Sequence, residues 1–262
     1  MQLTFWGVHG AYPFKTDALH TKGFHTACVS IETEHYLLIF DAGSGLMQLN
    51  EYACQTNKEI ILCLSHFHLD HVAWLPYFSL LHQQPKKLRL CHPDLAKLQS
   101  VYHRLFNPDF FPVKAGDPLF CHPDELSLKG LRISTCELNH PGGSVAYKVS
   151  DASRTCVYAT DNELSLANKK QLKAFFKGCD LLIHDAFYFK EEKQLFEGWG
   201  HSFINDVIAF AAYAEVKRLA LFHYHPKFSN QDFDAIREAI PNLSLASNLE
   251  VILSADGMCI EL

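Results

Sequence analysis

Short apolar or alternating segments recur along the chain, separated by turn residues and by amphipathic segments. This pattern predicts strands over twelve ranges: 2–8, 27–32, 36–40, 60–64, 87–91, 131–136, 145–149, 155–159, 180–184, 218–222, 250–254 and 258–261. It predicts helices over 45–54, 72–82, 95–105, 166–176, 203–215 and 230–240. No linker, charge block or low-complexity segment interrupts the pattern. One α/β domain over residues 1–262 is therefore expected.

Two local features refine these elements. Ser202 precedes the helix predicted over 203–215 and is expected to cap its N-terminus, as Asp94 caps the helix over 95–105. The segment 106–120 is rich in Pro and Phe and has no period, which predicts an ordered loop. Its aromatic side chains are expected to pack on the core or to form the wall of a pocket.

Several predicted strands end in a histidine or an aspartate. These strand-end residues are His66, His140, Asp161, His184, Asp185 and His223. Strands that end at one edge of a sheet place the loops that follow them at that edge. Side chains from distant parts of the sequence are therefore expected to meet there.

The densest cluster of this kind is the segment LSHFHLDHVAWL, residues 64–75, which follows a short apolar strand. His66, His68, Asp70 and His71 form the pattern H-x-H-x-D-H within it. In an irregular loop the first two histidines can face one ion, and Asp70 and His71 can turn to a second. Imidazole nitrogens and carboxylate oxygens suit Zn²⁺, with Mn²⁺ or Fe²⁺ as alternatives.

Composition narrows the class of protein. The formal net charge of −6 argues against a general nucleic-acid binder, and 16 histidines favour a metal site. Nine scattered cysteines without a C-x-x-C pair indicate reduced thiols in a cytoplasmic protein. The start MQLTFWGVHG has no export signal, and no run of about 20 apolar residues predicts a membrane helix.

The motifs together resemble the metallo-β-lactamase-fold hydrolases, in particular the branch of ribonuclease Z and the cyclic-phosphate phosphodiesterases. The segments LTFWGVHG, HTACVSIET and LLIFDAGSG are similar to the opening of that branch. SHFHLDH, NHPGGSVAYKV, YATDNE and LFHYHP are similar to its later metal motifs. The resemblance implies an α/β fold, a four-layer αββα sandwich with the metal site at one edge of the two sheets.

The resemblance also implies which residues hold two divalent ions. His66, His68 and His140 would hold one metal, and Asp70, His71 and His223 the other, with Asp161 bridging them. A hydroxide between the two ions would attack the substrate, and Asp70 would orient it. Asp41, in the segment DAGSG, is either a residue that fixes a ligand histidine or a simple turn carboxylate.

Two further motifs resemble ribonuclease Z. LLIHDAF gives Asp185, and GWGHSF gives His201. In that resemblance the carboxylate orients the imidazole, and the protonated histidine donates to the departing alkoxide. His201 also precedes a predicted helix, whose free amide groups would favour an anion such as a phosphate.

The chain departs from ribonuclease Z in one important respect. Those enzymes usually carry a long basic arm that grips tRNA, and no such insertion is visible here, so tRNA is not the expected partner. His9 and His25 stand where an arginine and an asparagine are expected and are interpreted as ordinary loop residues. His225, two residues after a ligand, is expected to be a neighbour of the site. A homodimer is expected from the relatives.

The predicted function is a cytoplasmic dinuclear metal phosphodiesterase that acts on a small phosphodiester, such as a cyclic phosphate or a nucleotide. One alternative is a thioester or lactone hydrolase of the hydroxyacylglutathione hydrolase type, for which the pair Asp185 and His201 has no clear purpose. Another is a non-catalytic metal-containing sensor, which would not need an intact ligand set. A β-lactamase is disfavoured by the missing export signal, and a di-iron oxygen- or NO-reducing protein by the histidine at position 68.

Overall fold

Two sheets form the frame of the protein. The computed structural model describes residues 1–14, 22–189, 195–244 and 248–262. The strands of the first sheet are β1 (Gln2–Gly7), β2 (Cys28–Glu32), β3 (Tyr36–Phe40), β4 (Glu59–Cys63), β5 (Leu88–Cys91), β6 (Leu119–Cys121) and β13 (Cys259–Glu261). The strands of the second sheet are β7 (Arg132–Leu138), β8 (Ser144–Ser150), β9 (Thr155–Ala159), β10 (Leu181–Asp185), β11 (Arg218–Phe222) and β12 (Glu250–Leu253).

The order of strands follows the chain closely. The first sheet has the order β13-β1-β2-β3-β4-β5-β6, and the second has β12-β11-β10-β9-β8-β7. In the first sheet β3 to β6 are parallel, and in the second β9 to β12 are parallel. The last strand, β13, returns to the first sheet and pairs with β1, with Leu3 opposite Ile260.

Helices cover the outer faces of both sheets. They are α1 (Leu46–Gln55), α2 (Leu69–Val72), α3 (Leu80–Gln83), α4 (Leu95–Leu105), α5 (Lys169–Phe176), α6 (Ile204–Tyr213) and α7 (Asn230–Ser244). Leu37 and Ile39 of β3 pack outward with residues of α1, α3 and α4, while Leu38 and Phe40 pack inward against the second sheet. Because side chains alternate along a strand, a fully apolar strand such as β3 has both faces covered. The result is the expected four-layer αββα sandwich.

Three local predictions were wrong. The helix expected over 72–82 is broken into α2, a 3₁₀ turn at Leu75–Tyr77 and α3. Pro76 is the second residue of the 3₁₀ turn and has no amide hydrogen for a longer helix, and Phe78 is extended with ψ 105°. Ser202 does not cap α6, since the N-cap position is Phe203 and the Ser202 hydroxyl donates to the carbonyl of Asn162. The loop 106–120 ends in the short strand β6.

The cysteines behave as predicted. All nine are free, and seven are buried, with Cys54 half-buried and Cys259 exposed. Cys63, Cys91 and Cys121 are paired in register on β4, β5 and β6 and pack into the core between the sheets. They act there as small apolar side chains.

Candidate metal centre

The predicted functional residues lie at one edge of the two sheets. β3 and β4 run parallel in the first sheet, and β9, β10 and β11 run parallel in the second. β7 is antiparallel to β8, which is antiparallel to β9, so β7 runs in the same direction as β9. The loops that follow β3, β4, β7, β9, β10 and β11 therefore meet at this edge.

Four predicted metal ligands form a first group: His66, His68, His140 and Asp161. The His140 Nε2 atom lies 3.0 Å from the His68 Nδ1 atom. The Asp161 Oδ2 atom lies 3.6 Å from His66 Nε2 and 3.5 Å from His140 Nε2. Nitrogen and oxygen atoms of all four side chains thus surround one small volume.

The other three predicted ligands, Asp70, His71 and His223, form a second group. The Nε2 atoms of His71 and His223 lie 3.1 Å apart, and Asp70 Oδ2 is 3.3 Å from the first and 3.2 Å from the second. The Asp161 Oδ1 atom is 3.2 Å from each of these nitrogens. Asp161 therefore turns one oxygen toward each group, as a bridging carboxylate would.

Asp41 is buried and accepts the hydrogen bonds that orient two of the predicted ligand histidines. Its Oδ2 atom accepts hydrogen bonds from His71 Nδ1 at 2.7 Å, Ser65 Oγ at 2.7 Å and Tyr158 Oη at 2.8 Å. Since the Ser65 hydroxyl gives its only hydrogen to Asp41, it must accept from His66 Nδ1, 3.0 Å away. In the neutral form both histidines then carry their lone pair on Nε2, the atom that faces Asp161. Of the two roles expected for Asp41, the structure supports the orienting one.

Glycines make room for two of the ligand rings. His140 Nδ1 donates to the carbonyl of Gly200 at 2.8 Å, and a Cβ on Gly200, whose φ is +84°, would lie 2.3 Å from that nitrogen. A Cβ on Gly10 would lie 2.3 Å from His223 Cε1. The Glu163 carboxylate holds the glycine loop by accepting from the amides of Gly198 and Gly200, the latter at 2.9 Å. Side chains at these glycines would displace the histidines.

The backbone is strained at three residues of the candidate metal centre. Asp41, Asp161 and His223 have φ values of 62°, 49° and 58°, in the left-handed region. That conformation costs a non-glycine residue about 1–2 kcal/mol. All three residues follow strand ends and face the two ligand groups. Strain of this kind concentrates at functional sites, where the surrounding contacts hold it in place.

The two groups fit divalent cations. Tetrahedral Zn²⁺ with ligands at about 2.0–2.1 Å places neighbouring ligand atoms about 3.3 Å apart. The separations of 3.0 Å between His68 and His140 and 3.2 Å between Asp161 and His71 are close to that value. The Nε2 atom of His66 is buried and has no hydrogen-bond partner among the described residues. A buried imidazole nitrogen whose lone pair is not used in a hydrogen bond is a suitable metal ligand.

The electrostatics of the site also favour positive charge. Burial opposes charge on His71, but the carboxylates of Asp161, Asp70 and Asp41 outweigh it and raise the pKa of His71 well above its usual value. Burial would raise the pKa of Asp70, yet His71 and His223 hold it well below its usual value. The carboxylates thus stabilise a cation among the imidazoles. A metal ion would take the place of the proton on His71.

His201 and Asp185 form a separate pair at the edge of the second group. His201 Nδ1 lies 2.8 Å from Asp185 Oδ2, and its ring stacks on Phe187 with centroids 4.4 Å apart. Asp185 is fully buried and also accepts from the amides of Asn162 and Phe187. Burial would lower the pKa of His201, but the Asp185 carboxylate raises it to about 9. His201 is therefore a cation at neutral pH in the metal-free site.

Three histidines noted in the sequence, His9, His25 and His225, lie outside the ligand groups. His9 is buried against Tyr224 rather than in an open loop, and His25 Nδ1 lies 3.2 Å from the Ser44 hydroxyl. His225 packs edge-on against Phe187 with ring centroids 4.8 Å apart, so it is a neighbour of the site, as expected.

Sequence reasoning missed several supporting residues: Ser65, Tyr158, Glu163 and Gly200. Ser65 and Gly200 stand directly beside His66 and His201, and that adjacency was the only available signal. Their partners lie far away in the sequence, as with the 60 residues that separate Gly200 from His140. Only the folded chain reveals these pairings.

Comparison with known proteins identifies the family. A sequence profile described as a Beta-lactamase superfamily domain matches residues 36–224, which is more than half of the chain. The chain belongs to the metallo-β-lactamase superfamily. The matched segment contains all seven predicted ligands together with Asp185 and His201. The predicted fold class is confirmed, and this fold implies a site for divalent metal ions.

The similar proteins are distant in sequence but cover nearly the whole chain. Ribonuclease Z of Staphylococcus carnosus is 24% identical over 301 aligned positions, which cover 92% of this chain and 94% of that protein. The metallo-β-lactamase fold protein YhfI of Bacillus subtilis superposes with a TM-score of 0.76 at 21% identity, over 100% of this chain and 98% of its own. A diphosphatase of the PhnP family gives a TM-score of 0.71 at 16% identity, over 100% and 97% of the two chains.

These findings decide several predictions. The resemblance to the ribonuclease Z branch and the expectation of a metal-dependent hydrolase are confirmed. The expectation that tRNA is not a partner receives no support, because curated relatives are ribonucleases Z. In the portion of the chain that the structure describes, no helix combines the length and apolar character needed to cross a bilayer.

Proposed function

We propose that the chain is a dinuclear metal-dependent phosphodiesterase that hydrolyses a small phosphodiester, with cyclic phosphates and nucleotides as the preferred class. The observation that carries this proposal is the pair of His201 and Asp185 beside the ligand groups. Cleavage of a phosphodiester expels an alkoxide that needs a proton, and a positioned acid contributes about 10²–10⁴-fold to such a step. A thioester expels a thiolate, which leaves without that help.

The residues would divide the work as follows. Two divalent ions, with Zn²⁺ as the expected metal, would be held by His66, His68, His140, Asp161, Asp70, His71 and His223. When bound, they would supply Lewis acidity that lowers the pKa of water and offsets charge on the phosphate oxygens. Asp70, whose Oδ2 atom also accepts from the amide of Ala11 at 2.8 Å, would accept a hydrogen bond from the attacking water and orient it.

His201 would serve the leaving group. Its Nδ1 proton is engaged by Asp185, so Nε2–H is the donor available to the departing oxygen. Stacking on Phe187 and burial of Asp185 fix the plane of the imidazole. His201 lies within 4.8 Å of ligand atoms of Asp161 and His223, so its proton is within reach of a phosphate held at the second group.

Processing of tRNA is the second candidate, and the ribonuclease Z relatives favour it. Two observations favour a small substrate instead. The alignment runs over 301 positions against 262 residues here, so that relative carries insertions that this chain lacks. The net charge of −6 is unfavourable for a long polyanion, whose binding depends on many contacts from Lys and Arg.

The test is hydrolysis by purified protein loaded with Zn²⁺ or Mn²⁺. The substrates are bis(p-nitrophenyl) phosphate, a 2′,3′-cyclic nucleotide, a precursor tRNA and a nitrophenyl thioester. The proposal predicts metal-dependent turnover of the diesters. It also predicts that His201→Ala lowers the rate on the cyclic nucleotide far more than on the nitrophenyl diester, whose leaving group needs little protonation. Turnover of the thioester alone would refute the proposal, and cleavage of the precursor tRNA alone would replace the small substrate by RNA.

A further inference from the structure

A groove lined by aromatic side chains begins beside the ligand groups. It has a volume of about 430 Å³, and its walls include Phe67, Leu69, Tyr77, Arg104, Phe110 and Phe111. We refer to these six residues as the aromatic groove. Phe67 lies between His66 and His68 in the sequence, and Lys97, whose ammonium lies over the Phe67 ring, donates to the carbonyl of Gly142. A Cβ on Gly142 would lie 3.6 Å from His68 Nε2, so the Phe67 end of the groove lies near the first ligand group. Leu69, Tyr77 and Phe110 are 71%, 54% and 81% exposed, which is unusual for large apolar side chains.

Positive charge accompanies this groove. Lys97, Val101 and Arg104 are spaced so that they share one face of α4, and Val101 and Arg104 line the groove. The Lys97 ammonium lies 5.4 Å from the centre of the Phe67 ring and donates to the carbonyl of Gly142 at 2.8 Å. None of the groove-lining residues in the described part of the chain is an Asp or a Glu. Aromatic faces next to Lys and Arg are the features that bind nucleobases together with their phosphates.

The side of the candidate metal centre beside His201 is acidic, in contrast to the basic aromatic groove. A second cavity of about 400 Å³ lies between the loop after β9 and the start of α6, and His201 is in its wall. Three carboxylate residues, Glu163, Glu197 and Asp206, also line it, and none of the lining residues that the structure describes is a Lys or an Arg. The two cavities share no lining residue. A phosphate-bearing group would be repelled from this acidic cavity and attracted to the aromatic groove.

The geometry of displacement at phosphorus determines which part of the substrate occupies each of the two cavities. In a displacement at phosphorus the attacking and leaving oxygens lie roughly in line. On the proposed function, the leaving oxygen points at His201, and the leaving alcohol therefore occupies the acidic cavity that His201 lines. The ester group that stays on phosphorus must then lie elsewhere, and the aromatic groove is the cavity that extends from the ligand loop.

We propose that the aromatic groove binds the nucleobase of a nucleoside that stays attached to the phosphate, so that the enzyme releases a nucleoside monophosphate and a neutral or cationic alcohol. This inference rests on the proposed phosphodiesterase function and specifies its substrate: an open-chain nucleoside phosphodiester bound in one orientation, since a cyclic phosphate would keep its leaving oxygen on the retained nucleoside. The base stacks between Phe67, Tyr77 and Phe110, and Arg104 and Lys97 face the sugar–phosphate portion.

The test compares two diesters with the same leaving group. Thymidine 5′-(p-nitrophenyl phosphate) retains a nucleoside after cleavage, whereas methyl p-nitrophenyl phosphate retains only a methyl group. Stacking of a base on aromatic side chains corresponds to about 10-fold or more in affinity. We expect the metal-loaded enzyme to have at least a tenfold higher kcat/KM for the thymidine ester. Calorimetry provides a second readout, with tighter binding of thymidine 5′-monophosphate than of methyl phosphate.

Substitutions in the groove, away from the candidate metal ligands, test whether the groove causes the preference for the thymidine ester. Tyr77→Ala is expected to reduce the preference for the thymidine ester about tenfold and to weaken thymidine 5′-monophosphate binding, because the methyl ester has no base to stack on Tyr77. Arg104→Gln is expected to weaken binding of thymidine 5′-monophosphate. Tyr213→Ala is the matched control, because Tyr213 is 52% exposed and Tyr77 54%, but Tyr213 lies on α6 away from the groove. Arg132→Gln, at the start of β7, is the control for charge.

The outcomes separate this inference from the proposed function. Equal turnover of both diesters would overturn the nucleobase inference and leave the phosphodiesterase intact. No turnover of either diester would overturn both. A second copy of the chain is the competing occupant of the groove, and light scattering tests it. If Tyr77→Ala converted a dimer to a monomer with the thymidine preference unchanged, the groove would be a subunit contact and the nucleobase inference would be wrong.

Discussion

The substitution Gly200→Ala tests the claim that a glycine positions His140. A Cβ at this position would lie 2.3 Å from His140 Nδ1 and 2.3 Å from Pro141 Cδ, whereas non-bonded carbon contacts are about 3.5–4.0 Å. The imidazole must therefore move by about 1 Å. Metal sites tolerate deviations of about 0.2 Å in ligand distance, so His140 would be lost or weakened as a ligand.

The expected loss of metal affinity in Gly200→Ala follows from the effect of other changes that disturb the orientation of a metal ligand. Changes that disturb the orientation of a ligand typically weaken metal affinity 10–100-fold, which corresponds to about 1.4–2.7 kcal/mol. In addition, alanine with φ near +84° costs about 1–2 kcal/mol of folding stability. Metal affinity is measured by titrating the metal-free protein with Zn²⁺ against a chromophoric chelator, and stability by urea unfolding of the metal-free protein.

Gly198→Ala is the matched control for Gly200→Ala. Its φ is +82°, but a Cβ there meets no atom within 4 Å. Both variants have the same backbone strain and retain the amide that donates to Glu163. Only Gly200→Ala should lose metal affinity. Equal affinities in the two variants would refute the argument that Gly200 positions His140.

Three further predictions concern the same site. Asp41→Asn replaces the carboxylate that holds His71 with a neutral amide, in which one of the two acceptor oxygens becomes an NH2 donor, and we expect 10–100-fold weaker Zn²⁺ binding in the same chelator titration. His201 must be protonated to act as an acid, so the rate on a diester with an alkyl leaving group should fall as pH rises through its pKa, which bound cations will place below about 9. In Asp185→Asn the pH–rate profile should fall at lower pH, because the carboxylate that raises this pKa is gone. Zn²⁺ at 100 times its dissociation constant should stabilise the fold by about 2.7 kcal/mol, and calorimetric scans should show the melting temperature about 5–10 °C higher than in chelator.

The sequence predicted which side chains come together at the edge of the sheets, because their signal is local. His66, His68, Asp70 and His71 stand within six residues, and the other ligands follow apolar strands that are easy to recognise. The element pattern also placed every strand of the two sheets except β6 within a few residues. What it missed depends on contacts between distant segments. The Tyr158 hydroxyl bonds Asp41 across the two sheets, and nothing near either residue in the sequence indicates this.

The wrong local predictions have a similar origin. Serine is a residue type that commonly caps helices, but the Ser202 hydroxyl does not cap α6. It forms hydrogen bonds with the backbone of the 162–164 segment instead. The helix expected over 72–82 has the correct apolar spacing, yet Pro76 interrupts it. Asp70 and His71 lie on the short helix α2, which begins at Leu69, rather than in the irregular loop that was expected. Competing tertiary contacts and a single proline outweighed the propensity of each segment.

The division of strands between the sheets has a consequence for how the protein could be assembled from pieces. All strands up to Cys121 lie in the first sheet and all strands from Arg132 to Leu253 lie in the second. A break in the connection between residues 121 and 132 would therefore yield two fragments, each with a fraction of both coordination spheres. Neither fragment alone would bind two ions tightly. Zn²⁺ would promote reassociation of the fragments, and the returning strand β13 would pair them through β1, so the chain is suited to metal-dependent fragment complementation.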